Sequence, residues 1–119
     1  MGAVDSLTRD RIPEWISGSK GVVFVDVWGP RCAPCLVLSP TYEGLAEKHN
    51  HLGRFLKLEA PANRMACVDL GVMGMPSFLA FRGGVEVGRL TGDSIDHRSL
   101  EQWIVAHLED KMSKESIDG

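Results

Sequence analysis

Hydrophobic and polar positions follow three different rhythms along this chain, and each rhythm predicts an element. Val22 to Trp28 (VVFVDVW) is an almost unbroken β-branched and aromatic run of strand length, the pattern of a central strand covered on both faces. Arg54 to Ala60 alternates instead, setting Phe55, Lys57 and Glu59 against Leu56, Leu58 and Ala60, which is strand periodicity. Between them, Cys35 to Asn50 places Leu38, Tyr42, Leu45 and His49 along one helical face, and Pro40 inside that stretch predicts a kink. A strand, a helix and a strand in this order make a right-handed crossover with the two strands parallel.

The flanking segments complete the pattern. Ile12, Trp15 and Ile16 share a face at helical spacing and predict a first helix over Arg11 to Ser17, with Pro13 in its first turn and Gly18 and Gly21 stopping it. Asn63 to Leu70 predicts a short helix closed by Gly71. Ser77 to Arg82 and Val85 to Leu90 are strand-like runs separated by Gly83 and Gly84, a two-residue hairpin signal. The last helix starts near Ser94 or Asp96, with Leu100, Trp103, Ile104, His107 and Leu108 at the spacing of a helix laid on a sheet. The expected architecture is α/β: a central mixed sheet of four or five strands with helices on both faces. It forms one domain over residues 1–119, with a core from about residue 10 to 109 and a charged tail, 110–119, that frays. MGAVDSL shows no evident first strand, so that edge of the sheet is expected to be missing or short.

Composition narrows the function more than the fold. With 119 residues the chain buries a core without help from disulfides or metal. Thirteen basic against 16 acidic side chains give a net charge of -3, which leaves no basic surplus for nucleic acid. The N-terminus carries Asp5, Arg9, Asp10 and Arg11 and no apolar stretch of signal-peptide length, so neither export nor membrane insertion is indicated and a cytoplasmic location is the default.

That location bears on the two cysteines of GPRCAPCL, which admit three readings: half a metal site, a structural staple or a redox pair. Thiols in a reducing compartment stay reduced at rest, which weighs against a staple. Zinc takes four ligands, and only Cys67, His49 and His51 remain to complete a set around Cys32 and Cys35. Neither histidine has an acid or cysteine spaced to pair with it, so a helix-end or loop position without a role is favoured for both. A redox pair suits the spacing best, because residues three apart on a helix put their Cβ atoms about 5 to 6 Å apart. Cys32 falls at the helix start, where free N–H groups and the dipole favour a thiolate, and Arg31 adds a cation beside it; Cys32 is therefore the expected nucleophile. Cys35, one turn in, is the expected resolving thiol, and Pro34 fixes the first turn that holds both.

Asp26 stands between Phe24, Val25, Val27 and Trp28 in the buried run, where burial without a partner raises a carboxyl pKa. It is placed to take or deliver the proton of Cys35, with Lys57 of the next strand as its partner; the plainer alternative for Lys57 is a solvated edge lysine. Cys67 reads as a buried small hydrophobe, against the sharper alternative of a regulatory or dimer-forming thiol.

Together VDVW, WGPRCAPC, Pro40, KLE, GMP, FRGG and Gly92 resemble the thioredoxin family from about Val22 to Leu108. The resemblance implies a thioredoxin fold and a protein-disulfide oxidoreductase that works by dithiol exchange at Cys32 and Cys35, with Asp26 and Lys57 assisting proton transfer. It implies a cis-proline at Pro76 facing the cysteines, and a substrate surface of Trp28, Arg31, Ala33, Pro34, Gly74, Met75, Pro76 and Gly92 on which a client segment adds as a strand. It further implies no bound cofactor or metal, a flavin-dependent thioredoxin reductase as electron donor, disulfide-containing proteins as substrates, and a monomer. The chain departs from the family's usual WCGPC in having Arg31 and Ala33, from its lysine after the second cysteine in having Leu36, and from its common threonine in having Ser77. Arg31, by stabilising the thiolate, argues for a less reducing couple than the family standard. Leu36, Met73 and Met75 give a greasier rim suited to a dedicated client, and a non-catalytic adaptor is the alternative from another class.

Overall fold

The computed structural model of the chain describes residues 2–118, with side chains through residue 109. Five strands, β1 (Val4–Ser6), β2 (Val22–Trp28), β3 (Gly53–Glu59), β4 (Ser77–Arg82) and β5 (Val85–Thr91), form one sheet in the order β1-β3-β2-β4-β5. β1, β3 and β2 run parallel, and β4 and β5 antiparallel, which is the mixed sheet that the strand–helix–strand and hairpin patterns predict. The helices are α1 (Ala33–His49), α2 (Arg64–Leu70) and α3 (His97–Asp118). The backbone of 110–118, where the charged tail is expected to fray, continues α3 to Asp118, while the side chains of 110–119 lie outside the described residues.

β2 is central because nothing in it but Asp26 resists burial, and its two faces feed two cores. Phe24 packs with Leu38, Tyr42, Phe55, Phe78, Leu100 and Ile104 under α1 and α3. Val23, Val25 and Val27 pack with Leu7, Ile16, Leu56, Leu58, Ala66 and Leu79 on the other side. Strand alternation therefore puts Asp26 on the face of Phe24 and Trp28, beneath α1.

Three boundaries differ from the sequence-based expectation. The sheet does have a first strand, β1, only three residues long, paired through Val4–Phe55 and Ser6–Lys57. Leu7, fully buried, donates its N–H to the Lys57 carbonyl at 2.7 Å and anchors that edge, so the core begins before residue 10. The first helix is instead two short turns, a tight 3₁₀ turn at Arg9–Arg11 and a wider π turn at Pro13–Ser17. Pro13 has no N–H with which to continue the ladder, so the first turn closes by Arg11 N–H to Thr8 C=O and a new one starts at Pro13. α1 begins two residues earlier than Cys35, with Cys32 as its cap and Pro34 in its first turn, and Pro40 lies inside it. In the hairpin, Gly83 and Gly84 take φ of 62° and 82°, which explains the glycine pair.

Candidate active site

The end of β2 leads straight into the cysteines. Gly29 to Arg31 form a turn closed by Cys32 N–H to the Gly29 carbonyl at 3.1 Å, and Cys32 then caps α1, its sulfur accepting from Cys35 N–H at 3.3 Å. The two sulfurs are joined as a disulfide, with Cα atoms 5.2 Å apart. Cys35 is buried while Cys32 is only half-buried, so an incoming group meets Cys32 first. The Cys32 sulfur lies among the N–H groups at the positive end of α1, a setting that favours negative charge on sulfur. Arg31 and Ala33 beside it are exposed.

Asp26 lies beneath this pair at 5% exposure, and its Oδ1 has no hydrogen-bond partner among the described residues. Burial pushes its carboxyl up to about 7, with the Lys57 cation pulling it down in part and Glu43 adding to the rise. A cavity of about 60 Å3, bounded by Asp26, Trp28, Cys35, Leu36, Ser39 and Lys57, joins the carboxyl to the inner sulfur and is large enough for a water molecule. Lys57 is the register partner of Asp26 across β2 and β3. Its Nζ sits 5.9 Å over the Trp28 ring and 3.9 Å from Glu43 Oε2. The arrangement places a titrating acid, a cation and a thiol around one small polar space, which is what moving a proton at neutral pH requires.

A second face adjoins the turn before the disulfide from the β4 side. The Met75–Pro76 peptide is cis. Gly92 N–H donates to the Pro76 carbonyl at 3.2 Å, and Ser77 Oγ donates to the Gly74 carbonyl at 2.7 Å, fixing the turn that carries Met75. Met73, Gly74, Met75, Pro76 and Gly92 line an open groove of about 430 Å3. The Met75 sulfur rests on Gly29, where even a Cβ would come within 3.0 Å of it, so this rim touches the turn before Cys32. Met73 on this groove is fully exposed, and Leu36 and Val37, which follow Cys35 on α1, are exposed as well. Buried Cys67 borders an apolar hollow with Met73 and Met75, and burial pushes its thiol pKa up.

Cys32, Cys35, Asp26, Lys57 and Trp28 are therefore brought together, with Gly74, Met75, Pro76 and Gly92 on the adjoining groove. His49 and His51 stand at the far end of α1, away from the disulfide; His51 borders a wide cleft of about 620 Å3 at the opposite ends of the strands. The sequence reading missed Ser39 and Glu43. Their signal was positional: they follow Cys35 at i+4 and i+8, on its own helical face.

Comparison with known proteins agrees with this geometry. The family model described as Thioredoxin matches residues 3–106. The thioredoxin of Alicyclobacillus acidocaldarius is 33% identical over 90 residues, covering 76% of this chain and 85% of that protein. Thioredoxin 1 of Nostoc sp. is 25% identical over 108 residues, 91% of this chain and all of that one. Among solved structures, a thioredoxin of Malassezia sympodialis superposes with a TM-score of 0.80 at 24% identity, covering 91% of this chain and 93% of that one, a likeness of fold. A point-mutant thioredoxin from Halobacterium salinarum gives 0.77 at 25% identity, covering 89% and 91%. With a two-cysteine disulfide at the head of α1, a five-stranded mixed sheet behind it and a family match over most of its length, the chain belongs to the thioredoxin family, whose chemistry is thiol–disulfide exchange.

Proposed function

We propose that the protein reduces disulfides of other proteins, and that the observation carrying this is the Cys32–Cys35 disulfide set over the buried, proton-holding Asp26. In the reduced protein the Cys32 thiolate attacks a client disulfide; a Cys32–client disulfide forms and the first client sulfur leaves as a thiolate. Cys35 then attacks Cys32, closing the Cys32–Cys35 bond and releasing the second client thiolate. The proton of Cys35 passes across the cavity to the Asp26 carboxylate, assisted by Lys57, so that Cys35 reacts as a thiolate. Two electrons have moved to the client, and an NAD(P)H-dependent flavin reductase supplies two more, reopening the Cys32–Cys35 bond for the next cycle. The client lies as an extended segment along Met75 and Pro76, against Trp28, Arg31, Ala33, Pro34, Gly74 and Gly92. A monomer acting in the cytoplasm fits this role.

A second reading, a thiol reductant or oxidant dedicated to one client, draws on the exposed Arg31 beside Cys32 and on the apolar rim of Leu36, Val37 and Met73. An adaptor without chemistry has no use for a carboxyl buried beneath a disulfide. Turnover of insulin with dithiothreitol or a flavin reductase as donor tests the main reading. Wild type turns insulin over, Cys32→Ser does not, and Cys35→Ser accumulates the mixed disulfide. Failure of wild type on insulin, with turnover of some other disulfide protein, would replace the generalist reading by the dedicated one.

A further inference from the structure

Asp26 is sealed from solvent, yet a proton taken from Cys35 has to leave it again before the next cycle. The groups facing it are few: Lys57 on β3, and Cys35, Tyr42 and Glu43 on α1, while its partner across β4 is apolar Phe78. Tyr42 donates its hydroxyl to the Leu56 carbonyl at 2.7 Å and holds its proton. Besides Leu36 and Ser39, which border the cavity without a charge, the half-exposed Lys57 stands between Asp26 and water, with Glu43 beyond it. Lys57 does not close on Asp26: among the described residues no ion pair joins them, and its ammonium lies instead 3.9 Å from Glu43.

The geometry explains why a cation one strand away leaves a buried carboxyl unpaired. We propose that Glu43 is a positioning residue for the exchange reaction: it holds the Lys57 ammonium on the solvent side of the cavity, keeping Asp26 free of an ion pair and so able to take up and give back a proton. A free Lys57 swings onto Asp26, and a tightly paired carboxylate is a poor base. Glu43 thus sets the proton affinity of Asp26 through Lys57. The proposal rests on the role given to Asp26 above and adds a residue to it.

The test uses the full chain. In the oxidised protein, where the cysteines do not titrate, the Asp26 carboxyl is followed by NMR against pH in wild type, Glu43→Gln, Lys57→Met and the double variant. Release of a preformed mixed disulfide is timed against pH in the same set and in Asp26→Asn. Glu43→Gln is expected to lower the Asp26 midpoint by half a pH unit or more, to move the acid limb of the release profile down by the same amount, and to slow the plateau two- to threefold. In the Lys57→Met background the effect of Glu43→Gln falls to less than half, because the cation it positions is gone. An unmoved or raised midpoint in Glu43→Gln overturns the proposal, as does an equal effect in both backgrounds, which would make Glu43 a distant charge only. If Asp26→Asn leaves the release profile unchanged, the role of Asp26 itself fails; if it removes the limb while Glu43→Gln does nothing, only the Glu43 proposal fails.

Discussion

Replacing Asp26 by asparagine keeps the shape and removes the charge, and its effect on stability follows from the site. In the fold the carboxyl is raised from 3.8 to about 7, chiefly by burial. The native state therefore keeps a proton that the unfolded chain loses between about pH 4 and 7. Stability contributed by this group is whole below pH 4 and falls as pH rises through that window, because a charge must then be held in an apolar site. At about 1.4 kcal/mol per tenfold, the displacement amounts to about 4 kcal/mol, an order-of-magnitude figure of which about 3 kcal/mol falls between pH 4.5 and 8.5. Asp26→Asn has no such loss. Urea unfolding of the oxidised wild type and variant at both pH values measures the difference, and constant costs of the buried amide cancel between them. The variant is expected to gain about 3 kcal/mol relative to wild type on going from pH 4.5 to 8.5. Parallel pH profiles would refute the reasoning, since Asp26 would then be ionised at no cost.

Other outcomes follow from the same geometry. Arg31→Trp removes a cation beside Cys32 and is expected to lower the reduction potential by about 10 to 30 mV, a two- to tenfold change in a glutathione equilibrium; an unchanged or higher value sinks the argument. Cys67 is buried with a raised thiol pKa, so iodoacetamide at pH 7 under native conditions is expected to label Cys32 of the reduced protein quickly and Cys67 only after unfolding. Gly29→Ala crowds the Met75 sulfur and is expected to reduce kcat/KM for a protein disulfide several-fold while leaving exchange with a small aliphatic disulfide near wild type.

Much of the molecule was legible because its strongest signals are local. An acid inside VVFVDVW has no surface reading, and the alternation of β2 alone puts Asp26 on the α1 side. The glycine pair of the hairpin and the apolar stripe of α3 are likewise local, and α3 begins where Asp96 and Ser99 bond reciprocally, at 2.8 and 2.9 Å. β1 was not legible because three residues, two of them exposed, carry no periodicity; its place is set by Leu7 entering the core. The first helix broke because Pro13 acts on a ladder too short to absorb it. Ser39 and Glu43 were hidden for another reason: a stripe of Cys35, Ser39 and Glu43 looks like a solvent face until α1 is docked with that face over Asp26.

The central claim is that Cys32 and Cys35 form a reversible two-electron couple. Equilibrating the protein in thiol redox buffers and reading the dithiol fraction by alkylation mass shift tests it directly. A single reversible transition involving those two sulfurs is expected at about -260 to -240 mV, reducing but above the family standard of about -270 mV. The absence of any transition, or thiols that alkylate only after chelation of a metal, would contradict the account.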